Sequence, residues 1–390
     1  MLRIRLLSIM LLITSALSAQ EIRVGIFHHL NVKSISVSAN EGSYEVYGDT
    51  TALGQLESVI VQWKSNGVSV TSNGLVQVYD TVLILKQHET ASVKVKGVSP
   101  STKQHFYEDN FEITKGTKGL RIVNRVSMNN YLSGVIESEG GGGRHIEYYK
   151  VQALMSRTYA IKNSHRHKKD GYNVCDGVHC QAYHNKLRFT PKIRTAVEET
   201  EGMVLVDNSN KLVTSYFSAN CGGQTCDASY VWNTSVSYLD PFVDTFCIHT
   251  HQATWTSSID KYAWRNYLRD HFGVTEGQYG DQIYNFQSAD RTAFYIHPSL
   301  GIPMRDLRSK FRLKSAYFST RLENGKVIIN GHGFGHGVGL CQEGAMEMAN
   351  QGYDYTQIAL FYFHKVKVLD ARRNQFFQQS AIDLQSELED

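Results

Sequence analysis

The sequence predicts an α+β fold: a β-rich mixed architecture with a few packed helices. Three observations carry this. Residues 21–115 alternate between apolar and polar side chains with period two, as half-buried strands do. Past a glycine run at 140–143 the spacing switches to that of a helix. Beyond it strands and helices are mixed, with neither βαβ regularity nor a repeat period.

The elements follow in order. Residues 1–19 read as a secretory signal: Arg3 and Arg5, then an apolar run from Leu6 to Leu17, then small residues before Gln20. That run is too short for a stop-transfer helix, and no cysteine follows it, so the mature chain is expected to be exported without a membrane anchor. The strand runs include Ile22–Ile26, Ser34–Val37, Val59–Val61, Val82–Leu85 and Val93–Val95, with Asn-Gly turns at 66–67 and 73–74. Tyr131–Glu139 reads as an apolar strand giving way to the glycine-rich turn. In the helix that follows, Ile146, Tyr149, Ala153, Arg157 and Ala160 recur at helical spacing. Further helices are expected over Ser258–His271, Cys341–Asn350 and Thr356–Phe363, and strands over Met203–Val206, Leu212–Phe217 and Val327–Ile329. The organisation is a signal peptide (1–19), one large domain (20–372, with a β-rich part 20–115 and a catalytic part 116–372) and a polar tail (373–390).

Composition narrows the class. Of 390 residues, 42% are hydrophobic and 20% charged, which excludes disorder, collagen and a coiled coil. A net charge of +3 that includes two leader arginines gives no basic footprint for nucleic acid. Tyr (22) outnumbers Phe (17), which suggests amphipathic rings lining a groove as well as a core.

Three constellations can carry chemistry. Glu139 sits before the glycines, where partial desolvation would raise its pKa as a general acid requires; by spacing alone it reads equally as a solvated loop carboxylate, the plainer choice. The second is His165-x-His167 with Cys175, His179 and Cys180. One His, then Cys, then His-Cys give a tetrahedral N2S2 set for Zn²⁺ within 16 residues, a closed and therefore structural site. His167 is preferred to His165 for its shorter separation from the cysteines. A Cys175–Cys180 disulfide competes, and the interleaved histidines favour zinc. The third is Gly331-His332-Gly-Phe-Gly-His336-Gly-Val-Gly339-Leu-Cys341-Gln-Glu-Gly344-Ala345, whose glycines admit a ligand close to backbone and which lacks the spacing of a dinucleotide fingerprint. His336 could donate to a sugar or position an acid, or the segment could be a packing-driven turn. Cys221, Cys226, Cys247 and Cys341 allow three pairings if all are bonded. Cys341, at a helix start, reads as a buried thiol or, as a minor alternative, a nucleophile beside His332 or His336.

Together these segments resemble the SpoIID/LytB family, the stage II sporulation protein D-like proteins. Tyr131-Leu-x-Gly134-Val-Ile-x-x-Glu139 resembles the stretch with the family's catalytic Glu. Glu147-x-x-Lys150-x-Gln152-Ala153-x-x-x-Arg157-Thr158-Tyr159-Ala160 is similar to the signature helix. Ser218-Ala-Asn-Cys221-Gly-Gly-Gln-Thr225, Val231-Trp232 and Gly335-His336-Gly-Val-Gly339-x-x-Gln342-x-Gly344-Ala345 resemble the later motifs. The matches run in family order from about residue 22 to 369. This sequence departs from the pattern at Gly140–Gly143, where the family has Met-Pro and a Trp, and in having Cys at 221 and 341.

The resemblance implies a lytic transglycosylase acting on peptidoglycan glycan strands, by preference denuded ones, in the periplasm or at the cell surface. Glu139 would be the acid/base. Tyr131, Arg157, Tyr159, His336 and Gln342 would bind substrate, and His167, Cys175, His179 and Cys180 would hold the zinc. An N-acetylmuramoyl-L-alanine amidase is the implied protein partner. The rival readings are a non-catalytic wall-binding enhancer of an amidase and a zinc hydrolase.

Overall fold

The computed structural model describes residues 21–72 and 75–373; the leader, the Asn73-Gly74 turn and the tail from Asn374 lie outside the described residues. Twelve strands come first: β1 Glu21–Gly25, β2 Ser34–Glu41, β3 Tyr44–Gly48, β4 Thr51–Gln55, β5 Ser58–Lys64, β6 Gly67–Ser72, β7 Leu75–Tyr79, β8 Thr81–Lys86, β9 Ser92–Ser99, β10 Ser101–Glu108, β11 Asn110–Lys115 and β12 Leu120–Ser127. They form two mainly antiparallel sheets. One runs β10-β9-β2-β5-β6-β7; the other runs β1-β12-β11-β8-β3-β4 and is extended at the β1 edge by β13, Val174–Cys175. The period-two pattern has its cause here. Ile35, Val37, Val59 and Val61 of the first sheet and Val82, Ile84, Phe111 and Ile113 of the second are buried in one core, while alternate residues face outward.

Helices α1 (Met128–Gly140), α2 (Ile146–Lys162) and α3 (Lys192–Glu199) pack against that core. The expected strand over Tyr131–Glu139 is a helix instead. Ser127 caps it by accepting from the Asn130 N–H at 3.3 Å, and Tyr131, Leu132, Val135 and Ile136, all fully buried, share one face. Their i, i+1, i+4, i+5 spacing is helical; the β-branched Val-Ile pair had suggested a strand. Gly134 lets the helix approach the chain, since any Cβ there would collide with the Asn185 carbonyl.

The α2 helix and the strand β14 (Met203–Asp207) fall where the sequence puts them. Leu212–Phe217 does not form the expected strand: only Phe217–Ser218 pairs as β15, and Leu212 makes a single bridge to Val206. After the short α4 (Ser229–Trp232) comes a segment with its own core, Trp255 to Ile329, built on β16 (Thr254–Asp260), α5 (Lys261–Phe272), α6 (Glu276–Tyr279), α7 (Met304–Phe311), β17 (Phe318–Glu323) and β18 (Lys326–His332). The helix expected from Ser258 starts three residues later because Asp260 caps it, accepting from the Tyr262 and Ala263 N–H groups. The chain then returns to the main core through β19 (Leu340–Cys341), α8 (Gln342–Asn350), α9 (Tyr355–Tyr362) and β20 (Val366–Asp370).

Candidate functional site

Glu139 lies in the last turn of α1, partly buried. Its Oε1 accepts one backbone hydrogen bond, from the Ala182 N–H at 2.9 Å. Burial pushes its pKa up against the lowering effects of that bond and of His184. The negative end of the α1 dipole acts in the same direction as burial. Two residues earlier, Glu137 accepts from the Arg188, Phe189 and Thr190 N–H groups at 2.8–3.0 Å, and so anchors the loop entering α3. One carboxylate is fully engaged by backbone; the other is held by a single donor and keeps its second oxygen available.

The glycine run is shaped by its backbone. Gly141 (φ 64°) ends α1 and Gly143 (φ 77°) sets the turn into α2, both left-handed conformations that suit glycine. Tyr149 ties this turn together, its hydroxyl donating to the Gly141 carbonyl at 3.2 Å and accepting the Arg144 N–H at 3.0 Å. The loop after Glu139 is therefore fixed despite its composition.

The segment that delivers the Ala182 N–H is itself anchored. Asp176 Oδ2 accepts from the Phe27 N–H at 2.6 Å, and Cys175 pairs with Gly25 at the edge of β1. Around it, ligand atoms of His167, Cys175, His179 and Cys180 lie within 4.8 Å of one another. Both sulfurs are 3.9 Å from His179 Nδ1. His167 Nε2 is buried with no hydrogen-bond partner, while its Nδ1 is oriented by Asp170 at 2.9 Å, the arrangement a metal-ligating imidazole adopts. The mutual hydrogen bond of the two sulfurs lowers Cys180 to about 6, helped by Arg166, and raises Cys175 to about 12. These four residues fit a tetrahedral Zn²⁺ with no position left open. His165 is exposed and outside the group.

Of the residues expected to bind substrate, two are structural. Arg157 is 2% exposed and donates to the Thr200, Met203 and Val197 carbonyls, closing the end of α3. Tyr131 is fully buried, with its hydroxyl on Gln181 Oε1 at 3.2 Å. Both shape the site from behind, so their expected contact with substrate is corrected. Helical periodicity puts Arg157 on the inner face of α2, where its length lets it reach orphan carbonyls.

The other three have different surroundings. Gln342, the first residue of α8, donates to the Tyr148 hydroxyl at 3.4 Å, and Tyr148 is close enough to Glu139 to feel its charge. Tyr159 is partly exposed and accepts from Arg166 at 2.8 Å. His336 accepts the Val338 N–H on Nδ1 at 3.0 Å. Burial, then Arg308 and Arg291, lower it to about 4, so it is neutral. Its ring lies edge-on to Trp232 (5.1 Å), which stacks on Tyr216 at 4.1 Å. Trp232, 40% exposed, makes an aromatic ledge that the site assignment from sequence missed; the Val-Trp dipeptide was its signal. Tyr148 and Tyr216 were missed too, being two of 22 tyrosines without distinguishing spacing.

Comparison with known proteins adds kinship. The SpoIID family, described as "Stage II sporulation protein", matches residues 116–206, from the end of β11 to β14, the stretch that contains Glu139 and the first Cys/His group. An uncharacterized protein of Brachyspira hyodysenteriae is 28% identical over 326 residues, covering 80% of this chain and 87% of that protein. Stage II sporulation protein D of Bacillus amyloliquefaciens is 28% identical, covering 73% of this chain and 86% of that one. An amidase enhancer of Bacillus subtilis is 27% identical over 60% of this chain, which matches only 39% of that protein. With its motifs set in the geometry described, the chain carries a match to the SpoIID family over residues 116–206 and is similar over most of its length to stage II sporulation protein D.

Proposed function

We propose that this protein is an exported lytic transglycosylase that cleaves the bond between N-acetylmuramic acid and N-acetylglucosamine in peptidoglycan, with Glu139 as the acid and then the base. The SpoIID family match over residues 116–206 and the amidase-enhancer relative support a cell-wall-related function. The finer reading is carried by one observation: burial raises the pKa of the partly exposed Glu139 carboxyl above its ordinary value, and one backbone N–H holds it in place.

In this reading protonated Glu139 donates to the glycosidic oxygen. Its carboxylate then takes the proton of the muramic C6 hydroxyl as that oxygen attacks C1, leaving a 1,6-anhydro end. One carboxyl serves both steps because the nucleophile belongs to the substrate, so no second carboxylate at a set separation is needed. The Ala182 N–H holds Glu139 through Oε1 and stabilises the carboxylate formed after the first transfer. Tyr148 and Gln342 border the acid, and Trp232 on Tyr216 offers a flat face for a sugar ring.

A zinc ion held by His167, Cys175, His179 and Cys180 would supply folding energy and no open coordination position. Cys180 is two residues from Ala182, so these ligands would position the acid through the backbone. A zinc-hydrolase reading would need one of these four ligands replaced by water, and the gathering of four favours the structural role.

Incubating wild type and Glu139→Gln with intact and amidase-treated sacculi tests the proposal. Mass spectrometry should find anhydro-muropeptides with the wild type alone, more from denuded strands. The amidase-enhancer relative favours a second reading, in which the chain binds glycan and stimulates an amidase. Glycan binding with no soluble product from the wild type would select it. Export rests on the leader, and no helix among the described residues is long and apolar enough to cross a membrane.

A further inference from the structure

A second group of metal-ligand type lies on the opposite side of the fold's sequence order. Cys221 follows β15, Asp244 and Cys247 lie in the loop after α4, and Cys341 caps α8. All four are fully buried, and one ligand atom from each lies within 4.8 Å of the others. Nothing in the glycan chemistry proposed above uses them.

Their surroundings are built for sulfur anions. Cys341 Sγ accepts the Cys221 N–H at 3.2 Å and the Gly344 N–H at 3.4 Å, at the positive end of α8; Cys247 Sγ accepts the Gly223 N–H at 3.3 Å. The carboxylate is equally fixed. Asp244 Oδ1 takes the Phe246 N–H at 2.9 Å and Oδ2 the Tyr362 hydroxyl at 3.0 Å, and no ion pair to Asp244 occurs among the described residues. A fully buried carboxylate without a cation, facing three thiols, is a costly arrangement unless a cation joins it.

A disulfide accounts for less. Cys221 and Cys247 sulfurs stand 3.3 Å apart, well beyond the roughly 2.05 Å of an S–S bond and nearer the ~3.8 Å between two thiolates on one tetrahedral zinc. Bonding any two cysteines would also leave a thiol and the carboxylate buried together. The small span suits a single ion, and thiolate-rich sets select soft or borderline metals.

We propose that Cys221, Cys247, Cys341 and Asp244 form a second, structural Zn²⁺ site. On binding, the three thiols release their protons to solvent, and the remaining negative charge is shared among the N–H donors. The ion would fasten the Gly222-Gly223 turn, the 244–247 loop and the start of α8 into the wall that carries Phe217, Trp232 and His336.

The test uses the full-length chain after leader removal, purified without chelator, and counts zinc by mass spectrometry. Two ions per chain are expected, falling to one in Asp244→Asn and in Cys341→Ser, and to one in His179→Ala by loss of the first site. Alkylation in denaturant with chelator but no reductant should label Cys221, Cys247 and Cys341. One ion that survives in Cys341→Ser and disappears in His179→Ala overturns the second site and leaves the first standing. One ion with the reverse behaviour removes the first and keeps the second. Cys221 and Cys247 that alkylate only after reduction overturn the second site in favour of a disulfide. The wild-type count and the alkylation need no variant to fold.

Discussion

The loop that holds Glu139 and the aromatic surface around Trp232 are made differently. The loop, residues 165–184, is one continuous stretch whose Cys/His group lies within a few residues of the acid's hydrogen-bond donor. The aromatic surface is gathered from two separate stretches, around 216–247 and 331–344, and holds Trp232, Tyr216 and His336 through neutral hydrogen bonds and ring contacts. The difference separates duties: the first sets the protonation and position of one carboxyl, and the second offers a flat face. Chemistry should fail when the first is disturbed, and affinity when the second is.

The largest effect is expected at Glu139 itself. Glu139→Gln should lower kcat by about 10²–10⁴, the range general acid–base catalysis supplies, while glycan binding is kept. The same variant should not lose stability at neutral pH. Because burial raises the folded-state pKa above the unfolded value of about 4.3, the unfolded chain releases its proton first as pH rises. Stability therefore falls from that pH up to the raised value and then levels off, and Gln at 139 removes the penalty. Thermal melts at pH 4 and pH 7 read this directly: the variant's Tm should gain on the wild type at the higher pH. A lower variant Tm at pH 7 would mean the carboxylate is a structural anchor like Glu137.

Disturbing the metal-type group comes next. His179→Ala or Cys180→Ser should reduce kcat about 10–100-fold by loosening the Ala182 N–H against Glu139. Hydrogen exchange separates this from global unfolding: protection should drop at Ala182 and its neighbours and persist in the β-sheets. Unchanged protection with lost activity would give the group a direct catalytic role.

Contiguity also decides what could be read beforehand. The β-rich front was legible because strands buried on one face repeat every second residue, as Ile35 and Val37 do. His167, Cys175, His179 and Cys180 were legible as a set because a short loop brought them together in sequence and in space. Cys221, Asp244, Cys247 and Cys341 were not: the three cysteines were read as disulfide candidates or, for Cys341, a buried thiol or nucleophile, and Asp244 had no local mark. Tyr216 stacks on Trp232 from a segment that reads as a strand and folds as a loop. Arg157 misled for another reason. Its motif resemblance is sound, but its guanidinium caps α3 from the inside, and residue type alone does not reveal which way it points.

A milder test is the pH profile of turnover. Since the first step needs protonated Glu139, kcat/KM should fall as pH rises through its raised pKa, and this limb should be absent from whatever activity Glu139→Gln retains. His336 cannot produce it: lowered to about 4 by burial, Arg308 and Arg291, it is already neutral where the limb falls. His336→Gln should therefore keep the wild-type limb, and a limb that moves in that variant would bring the aromatic surface into the proton transfer.

The smallest effect belongs to the aromatic ledge, and it bears most directly on the division between loop and surface. Trp232→Ala should raise KM for glycan about 2–10-fold, the equivalent of the roughly 0.5–1.5 kcal/mol that ring stacking adds, with kcat near the wild-type value. Trp232→Phe, which keeps a flat face, should recover most of the loss. Because Trp232 is 40% exposed and lies outside the buried core, the truncation leaves the core intact, and melting should stay within about a degree of the wild type. Should Trp232→Ala instead depress kcat as far as the loop variants do, ring stacking on the aromatic surface would be aligning the scissile bond with Glu139, and the two regions would share the chemistry.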